Sequence, residues 1–223
     1  MNASPDGPNC FATVYATARA IALAALTEPA PDWLTIVRQS HALADQAWAA
    51  ALTLEADLPA CAPGCGWCCH QPVEAAPVEI LAIAESLRAA PVWHDPLATW
   101  RGGRICPFLV EGRCVIHPLR PLKCRGLFQP DPRWCMATFA KCDPPPGGAP
   151  IRHRPLAFPR RLCDSVIAGL LTPLHQAGLD CDAYSFAPAL RAALDRSDAL
   201  AAWAGGERIF PASARLHGWI APN

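Results

Sequence analysis

Residues 61 to 69 read Cys61-Ala-Pro-Gly-Cys65-Gly-Trp-Cys68-Cys69, four cysteines in nine residues. No other stretch limits the fold as strongly. Thiols this close in sequence converge only where the backbone wraps sharply, and Pro63, Gly64 and Gly66 permit that wrap. A backbone turned in this way aims amide N–H groups at sulfur. A second group, Cys106, Cys114, Cys124, Cys135 and Cys142, follows across a Pro- and Arg-rich middle, so nine of the twelve cysteines lie between 61 and 142. Zinc and iron–sulfur sites both need thiolates arriving at one point from short, turning segments. The density therefore points to thiolate metal chemistry. Cys10, Cys163 and Cys181 stand apart and read as small hydrophobes or surface thiols.

Disulfides are the rival use of twelve cysteines. The start, Met1-Asn-Ala-Ser-Pro-Asp6, lacks a basic leader, and the apolar stretch from Phe11 to Leu26 is interrupted by Arg19. The reading is of a cytoplasmic chain with no membrane span, where thiols stay reduced. Net charge is zero but unevenly spread. Residues 1–100 carry ten acids against three arginines, while 101–161 carry twelve Lys/Arg against Glu111, Asp131 and Asp143. A basic middle that coincides with the second cysteine group suits charge balance of bound thiolates. The arginines are dispersed among Pro and Cys and not arrayed along one helix, which argues against a nucleic-acid surface.

Taken in order, residues 11–27 read as an Ala-rich helix. Asp32 caps a second helix running to about Leu58, with Trp33, Ile36, Val37, Ala44 and Trp48 on one apolar stripe. Pro77 suits the first turn of a helix over 77–90. Glu74, Glu79 and Glu85 flank that helix, and the expectation for them is a helix-dipole role and not metal ligation. Ile105 to His117 reads as a hairpin turning at Gly112, the one convincing strand pair. Pro118 to Lys123 form a helical turn that delivers Cys124 and Arg125. Residues 126–160 read as loop, followed by helices over about 160–177 and 187–204. The fold class is mostly α, a helical domain with one short β-hairpin and a Pro/Cys-rich metal-binding lobe. It reads as a single domain over 1–223, with N-terminal helices (1–58), a cysteine-cluster region (59–142), and a Pro-rich loop with C-terminal helices (143–223).

The pattern Cys61-x3-Cys65-x2-Cys68-Cys69, then Cys106-Pro-Phe-Leu-x2-Gly-Arg-Cys114-Val-Ile-His-Pro-Leu-Arg120-Pro121-x2-Cys124-Arg125, resembles the YkgJ-like cysteine-cluster family. Zinc or iron chelation is ascribed to that family, and its pattern is also similar to the cluster region of flagellin lysine methylases. The resemblance covers about residues 61–140 and implies that Cys135 is the last cysteine of the set. The chain departs from the pattern at His117, where the family usually has Tyr, and His70 follows the double cysteine. Either imidazole could ligate. Arg120 and Arg125 flank Cys124 and read as charge balance for thiolates, with an anionic substrate as the other use. The implied metal ligands are Cys61, Cys65, Cys68, Cys69, Cys106, Cys114, Cys124 and Cys135.

A decoy competes with that pattern. Cys61-x3-Cys65-x2-Cys68 also has radical S-adenosylmethionine cluster spacing, and Gly205-Gly206-Glu207 echoes a methionine-binding triplet. No alternating strand–helix series accompanies them, as such a barrel requires. Three functions follow from the cysteines. The first is a metal-chelating protein holding a [4Fe–4S] cluster and/or zinc, in a redox, accessory or metal-handling role. The second is a structural zinc module that engages a protein partner. The third is an S-adenosylmethionine-using modification enzyme like the lysine methylases. Eight thiols exceed one tetrahedral zinc site, which tilts the reading toward iron–sulfur.

Overall fold

The computed structural model describes residues 8–52, 59–62, 64–90, 95–140 and 157–219. The chain is mostly helical. α1 (Pro8–Thr27) and α2 (Trp33–Ala51) form an antiparallel pair. The Asp32 carboxylate caps α2, accepting from the Thr35 amide at 3.1 Å and from its hydroxyl at 2.6 Å. That satisfies donors which the first turn leaves without helical partners. The expected continuation of α2 to Leu58 lies outside the described residues.

A 3₁₀ turn (Trp67–His70) carries the double cysteine into β1 (Glu74–Ala75) and then α3 (Pro77–Arg88), which begins on Pro77. Every residue of α3 from Val78 to Ala84 is buried. A helix apolar nearly all round belongs at the centre of a core, and the remaining elements are laid around it. α4 (Asp95–Thr99) leads to the hairpin β2 (Leu109–Val110) and β3 (Arg113–Cys114). Glu111 and Gly112 make its two-residue turn with φ of 49° and 74°, the left-handed pair that a tight hairpin demands.

α5 (Leu122–Arg125), α6 (Pro132–Cys135) and a π-helical turn (Met136–Ala140) follow. Part of the segment expected to be loop is thus helical, because Asp131 caps α6 and Pro132 stands at its first position. α7 (Ala157–Gln176) packs along α1.

The last third departs from a pair of long helices. β4 (Ala183–Ser185) precedes α8 (Phe186–Asp195), and the helix expected over 187–204 breaks after Asp195 before resuming as α9 (Ala199–Ala204). At the break Arg196 takes an extended backbone and its guanidinium is held by Asp198 and Glu207, at 2.8 Å to Asp198 Oδ1. β5 (Arg215–His217) then completes a three-stranded antiparallel sheet in the order β1-β4-β5. The hairpin is therefore not the sole strand pairing. Strands of two or three residues are too short to show a period of two, so pairing over such sequence distances has no local signature.

The main core gathers α3, α8 and α9, with Trp33 of α2 meeting Trp203 edge-on at 5.1 Å between ring centroids. A second core joins α1, α2, α5 and α7 around Val14, Trp48, Leu122 and Leu162. Trp33 and Trp48 are core residues, as the apolar stripe predicts. Leu122 is fully buried. Burying one such side chain contributes about 1.5–3 kcal/mol, and here it seats the turn that carries Cys124. The window Cys10–Thr27, of mean hydropathy 1.5, is by length and composition long and apolar enough to cross a membrane despite Arg19. In this fold its inner face lies on α7.

Candidate metal centre

Three backbone contacts assemble the cysteine segments. The Cys106 amide donates to the Cys69 carbonyl at 2.8 Å, joining the double cysteine to the hairpin arm. The Ala60 amide donates to the Gln129 carbonyl at 2.8 Å, joining the start of the knuckle to the segment before α6. Between them Gly66 lies against the hairpin. A Cβ at that position would fall 2.4 Å from Leu109 Cδ1 and 2.9 Å from the Gly112 carbonyl oxygen, so only glycine admits this approach.

The fourth strut comes from the helices. Glu79, 1% exposed, directs Oε1 to the Leu122 amide at 2.8 Å and to His41 Nε2 at 3.1 Å. His41 Nδ1 lies 3.2 Å from Arg125 Nη2. A neutral imidazole with its proton on Nε2 satisfies both contacts at once, donating to the carboxylate and accepting from the guanidinium. Arg125 also donates to the carbonyls of Arg120 and Pro118 and pairs with Asp45. Two expectations are corrected here. Glu79 does more than favour a helix dipole, since it is a buried acceptor that fixes α5. Arg125 is tied to α2 and to backbone and does not line the thiol cavity, so the charge-balance role falls to Arg120 alone of the pair.

These struts enclose a cavity of about 460 Å³ lined by Cys61, Cys65, Cys68, Cys69, Cys106, Cys114, Cys124 and Cys135. All eight residues implied as ligands thus face one space. Arg113, His117 and Arg120 line it too, and no aspartate or glutamate does among the described residues. Cys142 lies outside the described residues. His70 stacks on Trp67, with ring centroids 5.7 Å apart, and is not on the cavity wall. The His117 ring contacts the Arg120 guanidinium, with Nδ1 at 2.7 Å from Nη1. Of the lone cysteines, Cys163 and Cys181 are buried in the cores and Cys10 is half-buried, in line with small hydrophobes. The Gly205-Gly206-Glu207 triplet closes α9 and is not on the cavity wall, so it has no part in this site.

Among the described residues no three Cys, His, Asp or Glu side chains stand in ready-made ligating geometry. The thiols hydrogen-bond with one another. Cys69 is the hub, in contact with Cys106, Cys114 and Cys68. Adjacent Cys68 and Cys69 therefore do not diverge, because the 3₁₀ turn brings their side chains to the same side. The hub keeps its proton, its pKa driven up by donation to these neighbours. The recipients gain: the bond from Cys69 lowers Cys68 to about 7 and holds Cys106 and Cys114 below the ordinary thiol value. Desolvation dominates at the cysteines outside this hub, raising Cys61 and Cys124 and pushing Cys135 up to about 12. Arg120 favours the thiolates of Cys61, Cys68, Cys114 and Cys124. The Gln129 amide bonds to Cys61 and lowers its pKa in part. That contact, and the whole His41–Glu79–Arg125 chain, carry no motif in the sequence.

A wall that carries soft sulfur donors with a guanidinium among them suits metals that prefer thiolate. Residues 60–139 match the model of a family, CxxCxxCC, whose description reads "Putative zinc- or iron-chelating domain". The matched stretch coincides with the cavity-forming segments. No curated protein and no solved structure matches the chain.

Proposed function

We propose that this protein chelates metal through its eight cavity cysteines, as an iron–sulfur cluster and/or zinc, and serves in a redox, accessory or metal-handling role. The observation that carries the reading is the convergence of all eight on one wall. The donor set fits the group. Thiolates suit both zinc and iron–sulfur centres, Cys69 interacts with Cys68, Cys106 and Cys114, and Arg120 offsets their charge. Eight thiols exceed the four of a tetrahedral zinc, which favours a cluster or more than one centre.

A bound iron–sulfur cluster would supply one-electron chemistry at a potential set by its hydrogen bonds and exposure. The chain's own part is to bring Cys68, Cys69, Cys106 and Cys114 together, to keep thiolates accessible near neutral pH through the Cys69 bonds, and to wall the site with Phe128, Phe139 and Phe186. Elemental analysis and an absorption spectrum on anaerobically purified, untagged protein test the reading. Iron with sulfide and a broad band near ~400 nm establish a cluster. Stoichiometric zinc in colourless protein establishes a zinc site, and protein with neither metal sinks the proposal.

A further inference from the structure

The cavity of about 460 Å³ falls within the ~300–1,000 Å³ range of small-molecule sites. Its thiols share the wall with groups of other chemistry.

Three further features of the wall say what kind of molecule suits that space. The first is charge. Arg113 and Arg120 line the cavity with His117, no carboxylate lines it, and neither arginine pairs with an acid among the described residues. Arg120 acts on the thiols, whereas the exposed Arg113 meets no partner among the described residues. The second is an orphaned acceptor. Gln129, 6% exposed and on the cavity wall, has a buried Oε1 with no hydrogen-bond partner among the described residues. Leaving a buried amide oxygen unpaired costs about 1–3 kcal/mol, so such a group calls for a donor. The third is the apolar surface of Leu127, Phe128 and Phe139 on the same wall.

We infer that the cavity binds, beside its metal, a small organic acid that also carries a hydroxyl or amino donor. Arg120 and Arg113 take the anionic group, Gln129 Oε1 accepts from the donor, and the apolar body lies on Phe128 and Phe139. The inference rests on the metal-binding reading for what else fills the cavity, but its recognition groups are not the thiols.

Three probes that differ by one group test it on the full chain: 3-phenyllactate, 3-phenylpropionate and 2-phenylethylamine, titrated by calorimetry against protein whose metal content is measured in the same sample. The expected order is phenyllactate first, phenylpropionate weaker by about fivefold through loss of the bond to Gln129, and no saturable binding of the amine. Arg120→Gln weakens phenyllactate about tenfold or more, as does the exposed, fold-neutral Arg113→Gln to a smaller degree. Gln129→Met erases the preference for phenyllactate over phenylpropionate. Metal-loaded protein that takes up none of the acids, or takes the amine equally well, overturns the inference. Metal-free protein that still prefers phenyllactate overturns the metal reading alone.

Discussion

His41 on α2 and Glu79 on α3 meet at 3.1 Å inside the protein, and the same Glu79 oxygen holds the Leu122 amide at 2.8 Å. One carboxylate thus fastens two central helices to the turn that bears Cys124. Glu79→Ala leaves the imidazole and the amide without an acceptor in a site closed to water. The expected cost is about 2–4 kcal/mol, read as a lower urea midpoint, with metal content falling in parallel. Glu79→Gln keeps an acceptor for Leu122 and costs less. Equal stability of the alanine variant and wild type would refute the assignment.

Gly66 should tolerate no side chain. Alanine there must displace either Leu109 or the hairpin turn at Gly112, at about 1–3 kcal/mol. Because that contact sets the knuckle against the arm carrying Cys106 and Cys114, Gly66→Ala is expected to lower metal retention during dialysis relative to wild type, and unchanged retention would remove this contact as a determinant of the site.

Thiol reactivity should follow position in the hydrogen-bond cluster. In metal-stripped protein Cys68, lowered to about 7 by its bond from Cys69, is a thiolate above that pH. Iodoacetamide labelling of Cys68 is then expected to be half-maximal near pH 7, while Cys135, pushed to about 12 by burial, lags by orders of magnitude at the same pH. Mass spectrometry of the alkylated peptides gives both rates. Loading with zinc should protect Cys68.

Acid should loosen the C-terminal sheet first. Burial raises the Asp182 carboxyl, but the Trp219 amide at 2.9 Å and the guanidinium groups of Arg208 and Arg215 outweigh it, and the folded value lies below the ordinary one. Such a group contributes stability in full above its unfolded value and loses it as pH falls through the folded one. Asp182→Asn is therefore expected to flatten the fall in stability below about pH 4, measured as melting temperature against pH. An unchanged slope would remove Asp182 as its source.

How much of this was legible in the residues can be argued element by element. The Asp32 cap, the Pro77 start and the apolar stripe through Trp33 and Trp48 are local signals, and the helices appear where those signals fall. The hairpin turn at Glu111-Gly112 is local as well. The cysteine set was legible because spacing and residue type together leave few other uses for it, and every member implied by the family resemblance faces the cavity. What stayed hidden depends on partners distant in sequence. Nothing near Glu79 announces His41 or Leu122, nothing near Arg125 announces Asp45, and two-residue strands at 74–75 and 183–185 leave no periodic trace. Gln129 sits in a segment read as loop, and its unpaired oxygen shows only once the wall around it is closed.

The strand that follows the double cysteine finds its neighbour in Ala183–Ser185, and that strand finds its own in Arg215–His217. During synthesis, the segment bearing the first four thiols therefore emerges long before the strands that anchor it, and the Cys106 amide that grips Cys69 also comes later. A growing chain presents four thiols on one short stretch before the hairpin, α5 and α6 that complete the cavity wall have been made. Closure of the cavity around the first four thiols therefore waits on residue 135, the last cysteine of its wall to be made.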